Sequence, residues 1–172
     1  FDADRLAGDL TMRFAQAGEI IQALDGKKYS LEDGMNVIAD DNGVLAIGGI
    51  MGGEETGCTE ETTNVFLEVA LFDPIRTATT GRKLGIESDA RYRFERGLDP
   101  ESANWGAEVA SKLILEFCGG EASELTVAGE MPKWSRPVSL RLKRLKSFGG
   151  VDVESDEAVD ILMRLGFNPK VE

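Results

Sequence analysis

One carboxylate is at odds with its neighbours. Asn64 to Ala70 reads NVFLEVA, and Glu68 lies between Leu67 and Val69. Read as a strand, the stretch puts Val65, Leu67 and Val69 on one face and Phe66, Glu68 and Ala70 on the other. A carboxylate in such a strand must find a donor or bear a desolvation cost. A structural arginine such as Arg76 or Arg82 would serve, as would backbone amides. So would a polar ligand inside a pocket. The residues alone leave these readings open.

A second cluster lies just upstream. Gly48-Gly49-Ile50-Met51-Gly52-Gly53 holds four glycines in six residues. Such a run lets backbone approach backbone, or leaves bare amides facing a ligand. Tight sheet turns with no ligand explain it equally simply. Glu54-Glu55 follow and make phosphate binding unattractive there. The third feature is a basic island of Arg76, Arg82, Lys83, Arg91, Arg93 and Arg96. Residues 76–96 carry a net charge of +3 in a chain whose net charge is −12. The island suits a local anion or RNA contact. It also suits structural ion pairs with Glu87, Asp89 and Glu95.

What is missing narrows the chemistry. The chain has no histidine, so the usual general base and the Ser-His and Cys-His nucleophile pairs are not in it. Cys58 and Cys118 are too few for a disulfide framework and have no metal-ligand spacing. They fit two free thiols in a reduced, intracellular protein, and no metal site is expected. The overall acidity argues against a broad phosphate-binding surface. No apolar run reaches membrane-spanning length, and the first residues are unlike a secretory signal. The chain opens at Phe1, as a processed protein or a cut-out piece would.

The elements that must hold these residues begin as short strands. Leu10–Ala15, Glu19–Leu24, Lys28–Leu31, Val37–Ala39 and Val44–Ile47 are joined by turns at Asp25-Gly26 and Asn42-Gly43. After the central strand, Asp73-Pro74 opens a helix that ends near Gly85. Its inward stripe is expected at Ile75, Ala78 and Thr79. Ser88–Arg96 alternates Tyr92 and Phe94 with Arg91, Arg93 and Glu95, which predicts a strand. Asp99-Pro100 repeats the helix-start device. Val109, Ala110, Leu113, Ile114 and Phe117 predict a buried stripe, and Gly119-Gly120 a stop. Glu121–Pro132 reads as a strand-like connector. Leu142, Leu145 and Phe148 mark a short helix. A last helix, capped by Ser155, buries Val159, Leu162 and Leu165 before Gly166. The fold class is α+β: a mostly antiparallel or mixed sheet with packed helices, then an incomplete small helical domain. The expected division is residues 1–128 and residues 129–172, the second too poor in apolar surface to close a core.

Several segments together resemble the beta subunit of bacterial phenylalanyl-tRNA synthetase. They are Val37-Ile38-Ala39-Asp40, Gly48-Gly49-Ile50-Met51-Gly52-Gly53-Glu54, Phe66-Leu67-Glu68, Phe72-Asp73-Pro74-Ile75-Arg76, Arg82-Lys83-Leu84-Gly85 and Ser88-Asp89-Ala90. The last runs on to Arg93-Phe94-Glu95-Arg96-Gly97-Leu98-Asp99-Pro100. The resemblance covers nearly the whole chain. Residues 1–128 would be the C-terminal part of the central editing domain, and residues 129–172 the start of the next small domain.

The resemblance implies a role in hydrolysing tyrosine wrongly attached to tRNA(Phe). The family's editing-pocket residues match Gly49, Gly52, Glu68, Ser88 and Ala90. Glu68 matches the reader of the tyrosine hydroxyl, and Gly49 and Gly52 match backbone lining the pocket. Ser88 stands where threonine is common but keeps the hydroxyl. Ala90 matches a small residue that leaves room for substrate. No residue is thereby assigned as catalytic. The resemblance further implies a cytoplasmic alpha2-beta2 enzyme whose alpha subunit charges tRNA(Phe) with ATP and Mg2+. No cofactor is expected in this stretch. The family carries a Pro-Leu-His segment just before the position of Phe1, and an asparagine upstream. The expectation is therefore an excised piece with most of one wall of the pocket, and a poor hydrolase alone. A non-catalytic structural or RNA-binding module is the alternative.

Overall fold

The computed structural model describes residues 1–133 and 135–171. Hydrophobic patterning builds a small sheet first. Strands β1 (Thr11–Phe14), β4 (Asn36–Asp40), β5 (Gly43–Ile47) and β6 (Met51–Gly52) lie side by side in that order, every pair antiparallel. Strands β2 (Ile20–Gln22) and β3 (Lys28–Ser30) form a separate antiparallel pair. The turn between β4 and β5 is shaped by Asp40, whose Oδ1 accepts from the amides of Asn42 and Gly43 at 2.8 and 3.2 Å. Gly43 takes φ +137° there. An Asn-Gly pair tolerates such a turn because glycine has no Cβ to clash.

The core joins Ala15, Ile21, Leu31, Met35, Val37, Ile47, Ile50 and Ile86. Leu31, Val37 and Ile47 are almost wholly shielded from solvent. Burying each such side chain contributes about 1.5–3 kcal/mol. The apolar face of β1 is not part of this core. Met12 and Phe14 face outward, and Arg76 lies 4.6 Å over the Phe14 ring.

Among the described residues five α-helices follow: α1 (Pro74–Leu84), α2 (Asp89–Phe94), α3 (Ser102–Cys118), α4 (Lys143–Gly149) and α5 (Ser155–Arg164). The Asp73 side chain accepts from the amide of Arg76 at 2.7 Å and caps α1, with Pro74 in the first turn. Gly85 ends the helix in the left-handed conformation, φ +66°. The chain divides into two compact units, Phe1–Pro132 and Lys133–Glu172. The second unit holds α4 and α5, and Ala158 is its buried residue among those described. Among the described residues, no helix is long and apolar enough to cross a membrane.

Several sequence expectations are corrected. Asn64–Ala70 joins no sheet; Val65 makes an isolated bridge to Asp2. Ser88–Arg96 is not a strand, because Ser88 caps a helix there and its charges pair at helical spacing. The Tyr92–Phe94 alternation mimicked period two over too few residues to decide. In α1 the buried face is Thr77, Thr80 and Gly81, while Ile75 is exposed. In α3, Ala107 is buried and Gly106, Ala110 and Ile114 are half-buried, whereas Val109, Leu113 and Phe117 are exposed. Gly106 faces Val69, at a distance where a Cβ would make an ordinary 3.7 Å contact. Asp99 makes a turn with Ser102, and α3 starts after it without a side-chain cap. Glu121–Pro132 forms no strand. Phe148 and Leu165 are exposed. Ser155 is the first residue of α5, and the cap position is Glu154, with no side-chain bond.

Candidate functional site

The glycine run is a hairpin turn between β5 and β6. Gly48 donates to Asn36 O at 2.9 Å, and Ile50 donates to Ile47 O at 3.0 Å. Gly49 adopts φ +69°, a conformation costly to any side chain. Among the described residues its N–H has no hydrogen-bond partner. Two phenylalanines explain why residues 48 and 49 have no side chains. A Cβ on Gly48 would lie 2.6 Å from the Phe72 ring, and one on Gly49 would lie 2.9 Å from Phe72 and 3.2 Å from Phe94. Phe72 and Phe94 themselves meet edge to face at 5.2 Å, a favourable arrangement of ring quadrupoles. The sequence reading placed Phe94 on a strand and assigned neither ring a contact with the glycines; the signal was a glycine pair with an unexplained need for closeness. Gly52 abuts Leu24, where a Cβ would come within 3.1 Å.

Ser88 ties α2 to this turn. Its hydroxyl donates to Ile50 O at 2.6 Å and accepts from the amide of Arg91 at 3.0 Å. The second bond is the helix cap. Ala90 lies exposed in the first turn of α2. Ser88 and Gly49 are therefore neighbours through Ile50, with Ala90 two residues on. A shallow hollow of about 520 Å³ opens beside them, lined by Glu87, Ser88, Asp89, Arg91, Tyr92 and Glu95.

Glu68 is half-buried on the irregular segment leading to Phe72. That segment is held at its start by Phe1, whose backbone exchanges two 3.0 Å hydrogen bonds with Phe66. Among the described residues, Glu68 has no hydrogen bond and no ion pair. Burial pushes its carboxyl above the usual carboxylate range. Neither arginine proposed as its structural partner takes that part. Arg76 donates to Gly34 O at 3.1 Å, and Arg82 donates to Ala78 O at 3.1 Å. No hydrogen bond joins Glu68 to Gly49, Gly52, Ser88 or Ala90 among the described residues.

The basic island is divided among local contacts. Lys83 pairs with Glu32. Arg91 pairs with Glu95 at 3.0 Å, and Arg93 approaches Asp89 at 3.8 Å. Arg96 donates to Tyr92 O and stacks 3.7 Å over the Tyr92 ring. Arg93 and Arg96 keep more than half of their side-chain surface in solvent, 62% and 54%. Cys58 and Cys118 are free and exposed. No group of three or more His, Cys, Asp or Glu residues able to hold a metal ion occurs among the described residues.

The family model described as the B3/4 domain matches residues 1–119. The chain is 58% identical over 167 residues to "Phenylalanine--tRNA ligase beta subunit" of Rhodospirillum rubrum, covering 96% of this chain and 21% of that protein. It is 54% identical over 166 residues to the protein of the same description from Paramagnetospirillum magneticum, again 96% and 21%. For that of Mesorhizobium japonicum the identity is 51% over 170 residues, covering 99% and 21%. The chain thus spans about a fifth of the length of the curated relatives it matches, 21%. Homologous over nearly all its residues to one stretch of that beta subunit, the chain belongs to the B3/4 domain family.

Proposed function

We propose that this chain forms part of the editing site of the phenylalanine–tRNA ligase beta subunit, which clears tyrosine from mischarged tRNA(Phe). Residues 1–128 supply the C-terminal part of the editing domain, and residues 129–172 open the following small domain. The observation that carries the reading is Glu68, a half-buried carboxylate with no partner among the described residues. A tyrosine phenol donates the hydrogen bond that Glu68 lacks, whereas phenylalanine leaves it unpaired. A site built to bind a hydroxyl rejects the analogue without one for this reason.

The other wall is backbone. The free N–H of Gly49 is suited to orienting the ester carbonyl or its developing oxyanion. Gly52 keeps the hairpin narrow. Ser88 fixes α2 to the turn, and Ala90 presents a small surface beside it. A positioned water attacks the ester carbonyl carbon, and the bond to the ribose oxygen breaks. The ribose oxygen recovers a proton, and tyrosine leaves as the free acid. A ribose hydroxyl of the substrate supplies the base that this chain lacks. Glu68 reads the substrate and does not activate the water. The complete enzyme is a cytoplasmic alpha2-beta2 assembly, its alpha subunit charging tRNA(Phe) with ATP and Mg2+.

The decisive experiment uses the complete two-subunit enzyme with Glu68 intact and with Glu68→Ala. Tyrosine and phenylalanine release from tRNA(Phe) are followed in both. The tyrosine preference should fall by roughly 10- to 150-fold, the worth of a hydrogen bond to a charged group at about 1.5–3 kcal/mol. Phenylalanine charging should persist. An unchanged preference would leave Glu68 without a recognition role. The alternative of a general RNA-binding module rests on Arg93 and Arg96, which remain largely solvated. It requires steep salt dependence and indifference to the attached amino acid.

A further inference from the structure

We infer that Gly81 and Arg91 interlock to position Ser88 and Ala90, which makes both of them positioning residues for tyrosine clearance; the inference rests on the editing function proposed above. Gly81 is buried in the interior of α1, where glycine is a poor helix former. Its presence has a local cause. A Cβ at residue 81 would lie 2.4 Å from both Cδ and Nε of Arg91, and 3.0 Å from Cζ. These atoms have little freedom to retreat. Nε donates to Glu95 Oε2 at 3.0 Å, and Nη1 donates to Ile86 O at 2.6 Å. Only 14% of the side chain is exposed.

The same residue faces the site through its backbone. Arg91 N donates to the Ser88 hydroxyl, which in turn donates to Ile50 O in the glycine turn. One path of contact therefore runs from Gly81 through Arg91 and Ser88 to Ile50, next to Gly49. The guanidinium grips the end of α1 at Ile86 O while the amide grips the start of α2. Ile86 in turn donates to Gly81 O at 3.0 Å, closing the corner. Displacing the guanidinium frees α2 to rotate, and Ser88 and Ala90 move with it. Lysine does not substitute, since a single ammonium lacks the rigid fork that meets Ile86 O and Glu95 together.

The test uses the complete two-subunit enzyme carrying Gly81→Ala, Arg91→Ala, Arg91→Lys or the double change Gly81→Ala with Arg91→Ala. Each single variant should clear tyrosine about 10- to 100-fold more slowly, the effect of a small misplacement of reacting groups. Phenylalanine charging should be unchanged. The double variant separates positioning from packing. Removing Arg91 removes the clash, and alanine suits the helix, so the double variant should regain the Tm lost in Gly81→Ala. Its tyrosine clearance should stay slow. Should Gly81→Ala fail to fold, the double variant and Arg91→Lys carry the test. Wild-type clearance in Arg91→Ala or in the double variant would overturn the interlock. A selective effect of Glu68→Ala beside unimpaired Arg91 variants would sink the interlock alone. An indifferent Glu68→Ala would remove only the recognition role of Glu68, whereas an unmodified enzyme that clears no tyrosine would sink the editing function itself.

Discussion

Glu68 sets a pH dependence whose sign follows from its surroundings. Burial holds its carboxyl above the usual range, so the folded chain binds this proton more tightly than the unfolded one. The stabilisation from that proton is complete below the unfolded pKa and is lost as pH rises through the folded one. At neutral pH the ionised Glu68 therefore weakens the fold. Glu68→Gln should raise the urea midpoint at pH 7 and give no gain in acid below the ordinary carboxylate range. A gain of equal size at both pH values would show that charge is not the cause. Gly49 tests the turn in the same way. Gly49→Ala forces a side chain into φ +69° against Phe72. The left-handed backbone costs about 1–2 kcal/mol, and crowding a packed ring costs about 1–3 kcal/mol more. Chemical denaturation should show a loss in that combined range.

Among the elements, α2 takes both its cap and its tie to the glycine turn from a single hydroxyl. Ser88→Ala removes the cap and leaves Ile50 O without that donor. The expected cost is about 1–2 kcal/mol, and Ser88→Thr should keep most of it. Calorimetry of the three proteins checks the order. The way α2 escaped sequence reading is instructive. Helix α1 was legible because Asp73, Pro74 and Gly85 mark both ends with residues of fixed geometry. The β4–β5 hairpin was legible for the same reason. Helix α2 has only six residues, too few for a 3.6-residue period to outweigh two alternating aromatics. In α3 the apolar residues were all visible, but the inward face runs through Gly106, Ala107, Ala110 and Ile114, with Val109, Leu113 and Phe117 exposed. Periodicity finds a stripe and does not say which stripe touches the core. Glu68 was legible as an oddity. Its lack of a partner required coordinates, because Arg76 and Arg82 were eligible by sequence and bind elsewhere.

At the scale of the whole molecule, the two compact units differ in what holds them. The first encloses the aliphatic core around Leu31, Val37 and Ile47. Leu31→Ala should cost about 2–5 kcal/mol there, from lost burial and the cavity left behind. In the second unit Ala158 is the buried residue among those described, with Phe148, Leu165 and Phe167 exposed. Chains of this size rarely hold a core without help. Residues 133–172 made separately should melt without a sharp heat-capacity peak, while residues 1–132 should give one. A cooperative peak from the short piece would contradict this. The glycine turn carries a different kind of consequence, one for the order of mutation through time. Gly48 and Gly49 are closed to larger residues while Phe72 stands against them. A lineage that loses the ring first opens room at Gly48, and a methyl group that settles there then bars the ring's return. The contact is thus a ratchet: the two positions are free to drift only in sequence, and the path back is steeper than the path out.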